Sequence, residues 1–276
     1  MRVHQHIAGA LVLASAMLWG LAATAAERAE YREFLEITGF DVAITSMQQG
    51  AMAGPGITGE AADAFGRQYT ALAERVFDPD LMLERAIDMM EAVLPDPLLE
   101  HGAAFYGSAL GQRLVEVENA SHVTDDELRY AEGQEIVERL GEDNPARLED
   151  YAAMMDAIGG VESSLRAVLE VQLRYLLAAM AAGSVDIDYS EAELRALLEE
   201  QAPEIRNNIT VFSMLGAAYT YRDLSDADVS AYRAALEEEA MRQVYEILNA
   251  IQFQVMAERY EALAEALPSL TPEQEL

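Results

Sequence analysis

Glu116-Val117-Glu118-Asn119-Ala120 returns as Glu246-Ile247-Leu248-Asn249-Ala250, 130 residues further along the chain. Working outward at the same offset, Leu94 falls on Leu224, Asp96 on Asp226, Ala104 on Ala234, and Arg129-Tyr130 on Arg259-Tyr260. Register holds without a gap from Leu94 to Tyr130. A constant offset over such a stretch points to duplication of a helical unit. Shorter echoes lie upstream. Phe34-Leu35-Glu36-Ile37-Thr38-Gly39 is patterned like Met154-Met155-Asp156-Ala157-Ile158-Gly159, a short helix ended by glycine. The offset there is 120 residues, so the second copy carries about ten more, in keeping with an insertion in its long helix.

Helix starts are marked along the chain. Asp78-Pro79 and Asp96-Pro97 place an N-cap acid before a proline at the first helical position. Thr124-Asp125-Asp126-Glu127 and Ser190-Glu191-Ala192-Glu193 read as capping boxes, in which hydroxyl and carboxylate each satisfy an orphan backbone donor. No run alternates apolar and polar residues between turn signals, as a half-buried strand would. The expectation is an all-α chain of two tandem pseudo-repeated multi-helix units packed as a bundle. Helices are expected over 28–38, 41–50, 59–76, 79–93, 97–106, 109–120, 125–140, 145–157, 161–182, 191–201, 204–220 and 226–266. The last is read as one long C-terminal helix, replacing the broken pair around Ser121 in the first copy. The domain reading is a signal peptide over 1–25, helical units over 26–142 and 146–267, and a flexible tail over 268–276.

The leader follows from its pattern. Arg2 precedes an apolar run from Ile7 to Leu21, and Ala23-Thr24-Ala25 fits a signal-peptidase site, so the mature chain is expected to start at Ala26 or Glu27 in the periplasm. Retention as an anchor is the alternative, because Ile7 to Ala26 is long enough to span a bilayer. No later segment reads as a membrane span. There is no cysteine, which excludes disulfides, thiolate metal sites and cysteine nucleophiles. The 49 acidic residues outnumber the 18 basic ones, all of them arginine, for a net charge of −31. Most of this is a solvated face. Its sign opposes binding to nucleic acid and to anionic lipid.

Catalytic equipment is sparse. His101 and His122 are the histidines beyond the leader. Glu118 and His122 lie four apart, but Ser121 is expected to end their helix, and no Glu-x-x-His of a di-metal bundle occurs. Both histidines read as solvated. Gly-x-Ser-x-Gly, phosphate-binding glycine loops and calcium-hand spacing are all missing. Acidic pairs are too abundant to inform, and the one tryptophan, Trp19, lies in the leader, which disfavours a sugar site. The expectation is therefore no catalytic residue, no cofactor and no metal.

Three stretches remain as interaction or structural candidates. In Phe105-Tyr106-Gly107-Ser108-Ala109-Leu110-Gly111-Gln112, Gly107 ends one helix, Ser108 caps the next, Gly111 admits a neighbouring backbone, and Phe105 and Tyr106 lock the joint. The equivalent stretch, Ala235 to Arg242, is expected to run unbroken. Asn207-Asn208 interrupts the apolar pattern of Ile205, Ile209 and Phe212, and marks either a polar cleft or a water-facing turn. In Tyr219-Thr220-Tyr221-Arg222-Asp223, tyrosine and arginine suit an interface, or a core edge with an Arg–Asp pair.

Phe105-Tyr106-x-Ser108-x-x-Gly111-Gln112, behind Phe34-Leu35-Glu36-Ile37-Thr38-Gly39 and a leader, resembles the bacterial periplasmic family catalogued as domain of unknown function 2059. Ala109 stands where that family has proline, and Gln112-Arg113 where it has a basic residue. The resemblance implies an all-helical exported domain and carries no activity. The leading functional expectation is an envelope protein without enzymatic activity, binding another envelope protein or peptide through a groove between helices. Thirteen methionines suit an adaptable apolar groove. The alternatives are a carboxylate-based enzyme or metal-binding protein, and a module that self-associates through its last helix.

Overall fold

The computed structural model describes residues 28–53, 67–185 and 188–270. The leader and its cleavage site lie outside the described residues, as do residues 271–276. All regular structure among the described residues is helical. In chain order the helices are α1 (28–38), α2 (Phe40–Thr45), α3 (Met47–Ala53), α4 (Arg67–Val76), α5 (Pro79–Val93), α6 (Asp96–Tyr106) and α7 (Ala109–His122). They continue as α8 (Asp126–Asp143), α9 (Pro145–Ala157), α10 (Gly160–Ala182), α11 (Glu191–Thr220), α12 (Asp226–Leu236) and α13 (Glu239–Ala266). A short 3-10 turn, Leu267–Ser269, follows.

Several starts are made by the expected caps, whereas Asp96 falls inside its helix with Pro95 at the cap and no side-chain cap bond. Asp78 accepts from the amides of Asp80 and Leu81, Asp125 from Leu128, and Ser225 from Asp228. At Ser190 both halves of the capping box are made, with Glu193. Thr124, expected to cap α8, instead bonds the carbonyl of Ala120 at 2.8 Å, and Asp125 takes the capping place.

Helix α13 is the axis of the bundle. Met241, Val244, Tyr245, Leu248, Ile251, Val255, Tyr260 and Leu263 are buried along it. It packs on α4, α5, α6, α10 and α12. One continuous core therefore runs from Phe34 to Leu267 through both halves of the chain. Each buried Leu, Ile or Met in it contributes about 1.5–3 kcal/mol. Arg85 and Arg174 grip α13 from outside through two-pronged pairs with Glu258 and Glu261. The tail is held further than expected: Leu267 is buried and Leu270 packs on the core.

Two expected helices are differently divided. Residues 191–220 form one helix with Pro203 inside it. Pro203 and Glu199, whose carbonyl loses its partner there, are both exposed, so water replaces the missing bond. The expected single helix 226–266 is broken at Glu237 and Glu238. Here the second segment follows the first closely. Helix α6 ends and α7 begins at Gly107-Ser108, just as α12 ends and α13 begins at Glu237-Glu238. Gly107 has φ −72° and ψ −11°, and Glu237 has φ −73° and ψ −12°. Ser108 and Glu238 are both extended, with ψ 163° and 136°. Neither conformation requires glycine. The break in the second segment therefore leaves no mark in composition. Further on the segments part: α7 stops at His122, whereas α13 runs through the equivalent Gln252.

Candidate functional site

The sharpest chemical feature is a carboxyl group among phenols. Glu118 lies in the last turn of α7, on the face that also carries buried Leu114 and Ser121. Tyr221, just past α11, donates its hydroxyl to Glu118 Oε1 at 2.6 Å. Tyr232 of α12 stands near the carboxyl and favours its ionised form. The Tyr232 hydroxyl lies 3.0 Å from that of Tyr106 at the end of α6, and 2.9 Å from that of Tyr245 on α13. The hydroxyls of Tyr106 and Tyr245 also bond each other. Five residues from α6, α7, the α11–α12 link, α12 and α13 thus gather in one polar cluster.

Burial sets its electrostatics. Protein surrounding Glu118 raises its pKa from the ordinary carboxylate range to about 7, against the Tyr221 and Tyr232 hydroxyls, which favour the ionised form. By accessible area Glu118 is only half-buried, because it borders a cavity. The enclosing protein beyond that cavity is what governs its proton affinity. Burial likewise holds the hydroxyls of Tyr106, Tyr221, Tyr232 and Tyr245 well above the usual phenol range, so they stay protonated donors.

The cavity measures about 330 Å³ and lies where α7, α9, α11, α12 and α13 meet the α1–α2 turn. Residues equivalent at an offset of 130 face it in pairs, Asn119 with Asn249 and His122 with Gln252. Each asparagine works against a glycine turn. Gly39, with φ 76°, lies against Asn119, so a Cβ there would fall 2.7 Å from Asn119 Oδ1. Asn249 Nδ2 donates to Ile158 O at 2.7 Å, beside Gly159 with φ 116°. The polar cluster has no such twin. Tyr106, Glu118, Tyr232 and Tyr245 correspond at the same offset to Leu236, Leu248, Gly102 and Val115.

Arg147 of α9 holds the wall in place. It is 8% exposed and donates to the Tyr151 hydroxyl at 2.8 Å, to the backbone oxygens of Tyr221 at 2.6 Å and Leu224 at 2.8 Å, and to Asp226. The bond to Tyr221 O fixes the backbone from which the Tyr221 hydroxyl reaches Glu118.

The sequence candidates divide accordingly. Tyr106 and Tyr221 belong to the cluster, and Phe105 flanks it, its ring stacked 5.9 Å from Tyr232. Ser108 caps α7, accepting from Gly111 N at 3.1 Å. A Cβ on Gly111 would lie 2.4 Å from both Phe105 O and Tyr106 Cα, so this position holds two helices in close backbone contact. Asn207 and Asn208 are exposed, Asn208 on the rim of a neighbouring surface trough. Tyr219 is buried beneath the Arg222 guanidinium at 3.9 Å, and Arg222 pairs with Asp223 at 3.6 Å, the core-edge arrangement. His101 pairs with Glu238 at 3.5 Å. His122 stays in α7 rather than beyond it and stands at the cavity. Its ring is accessible, yet surrounding protein and then Arg129 favour its neutral form.

Glu118, Tyr232, Tyr245 and Arg147 were missed as site residues. One signal was available for Glu118: an acid on an inward helical face where the aligned copy has Leu248. No group of three or more metal-ligating side chains occurs among the described residues, and none of their helices is long and apolar enough to cross a membrane. No family model, curated protein or solved structure matches the chain.

Proposed function

We propose that this chain is an exported, non-enzymatic binding protein of the cell envelope, built by duplication, and that it holds its ligand in the cavity beside Glu118. The observation that carries the reading is Glu118 itself: a carboxyl bonded to Tyr221 at 2.6 Å, with its proton affinity raised by burial, facing a cavity of about 330 Å³. Burying such a group costs stability unless it is paired, and the aligned position shows that leucine suits the same helix. The volume sits at the lower end of the range for small-molecule sites, about 300–1,000 Å³. An envelope protein or peptide would reach this site with one side chain or one chain end. The leader over residues 1–25 and the resemblance around Phe105-Tyr106-x-Ser108 support export.

The test is native mass spectrometry of protein recovered from the periplasm, beside an Ala217→Phe variant that fills the cavity. A small adduct on the parent that is lost from folded Ala217→Phe is the expected result. An adduct retained by that variant would place the ligand elsewhere. A second reading, proton transfer by Glu118 in an enzyme, is favoured by a pKa close to neutrality. Chemical conversion of the released ligand by fresh protein, absent with Glu118→Gln, would replace binding by catalysis.

A further inference from the structure

We propose that the ligand of the Glu118 cavity is a small organic cation, an ammonium ion carried on an apolar stem, seated against the carboxylate and the aromatic walls. The proposal rests on the cavity being the binding site and adds the class of ligand.

Charge complementarity comes first. Glu118 is the one carboxylate among the described lining residues. The two basic residues beside it do not cancel it. Arg129 gives Nη2 to Asp126 and lies over the Tyr130 ring at 4.7 Å, with its buried Nε left unpartnered, and burial shifts His122 toward its neutral form. An anion entering here meets the Glu118 carboxylate, and the unpartnered donor that Arg129 offers is a single buried N–H. An ammonium ion meets a carboxylate that the Tyr221 hydroxyl already orients.

The walls agree with this charge. Rings of Phe40, Tyr151, Tyr221, Tyr232 and Tyr245 border the space, and an aromatic face attracts a cation by about 0.5–2 kcal/mol. Unused acceptor capacity lies alongside: Asn119 lines the cavity, and its Oδ1 is buried without a hydrogen-bond partner. The whole molecule assists, since a net charge of −31 draws cations to its surface. The proton affinity of Glu118 adds a signature. Below about pH 7 an arriving cation must expel a proton from the carboxyl, so affinity falls about tenfold for each further unit of acidity. Of the other titratable groups facing the cavity, only His122 acts in the same direction. The tyrosines stay protonated throughout, and His122, gaining charge on acidification, adds repulsion of the same sign from the rim.

The experiment uses three probes of one shape, benzylammonium, benzyl alcohol and benzoate, titrated calorimetrically into the mature protein at about pH 6 and about pH 8. The expected result is binding of benzylammonium, roughly tenfold tighter at the higher pH, with proton release at the lower pH. Glu118→Gln should weaken it by at least about tenfold while circular dichroism and melting show an intact fold. Tyr245→Phe, which keeps the ring and the charge, should weaken it by about threefold or less. Benzyl alcohol or benzoate binding as tightly as benzylammonium, and displaced by Ala217→Phe, would overturn the cation assignment and leave the cavity reading standing. Benzylammonium binding undiminished by Glu118→Gln would overturn it too, as would failure of all three probes.

Discussion

Segments 94–121 and 224–251 are the same backbone carrying two different interiors. Their helices break at the same register, and Gly111 and Leu114 are buried like Met241 and Val244. The differences lie in the side chains facing the junction. Tyr106 and Glu118 stand in the first segment, Leu236 and Leu248 in the second. Tyr232 and Tyr245 come from the second, against Gly102 and Val115 in the first. Each segment thus supplies two of the five polar residues, and Tyr221 comes from the link that precedes the second segment.

The two joints offer the strongest test of this comparison. Gly111 and Met241 are equivalent, yet a side chain on Gly111 meets backbone that no rotamer change relieves. Gly111→Leu should cost about 3 kcal/mol or more. Chemical denaturation gives the value, and a loss below that of Ser108→Ala would mean the joint in the first segment is not closely packed.

The carboxyl comes next. Glu118 binds its proton more tightly folded, near pH 7, than unfolded, near 4.5. Its protonated form therefore contributes stability that is fully present below the unfolded value and lost as pH rises through about 7. Glu118→Gln does not titrate, so it should gain on the parent between those limits by at most about 3 kcal/mol, reduced by water in the cavity. Thermal melts across that range measure it. A difference between the two proteins that does not change with pH would show that Glu118 titrates normally.

Smaller effects belong to the caps. Ser108→Ala should cost about 1 kcal/mol by melting. The reverse graft, Glu238→Ser, supplies the cap that α13 lacks and should add about 0.5–1 kcal/mol, since Glu238 is already extended and makes no side-chain cap bond. No gain would mean that the second joint, unlike the first, has no room for a capping hydroxyl.

Much of the fold was legible because its signals are local. A carboxylate or hydroxyl two or three residues ahead of an amide can cap a helix through local contacts alone, as at Asp78 and Ser190. What misled was also local. Ser108 and Gly107 looked necessary for a break, and the glutamates at 237 and 238 looked helical, yet both joints use backbone angles open to any residue. Pro203 looked like a boundary, and an exposed helical face absorbed it.

The sequence by itself determined that this chain is helical, where most of its helices start, and which residues are equivalent at an offset of 130. Those features depend on contacts within a turn or two, or on a register that survives in the letters. The tertiary structure alone decided that Glu118 meets Tyr221 across 103 residues and that Tyr106 meets Tyr232 across 126. It also decided that Arg147 reaches the backbone of Tyr221 across 74. Glu118 is one of 49 acids in the sequence, and only packing in three dimensions surrounds it with protein. That enclosure is what turns an ordinary carboxylate into a group that holds its proton near neutrality.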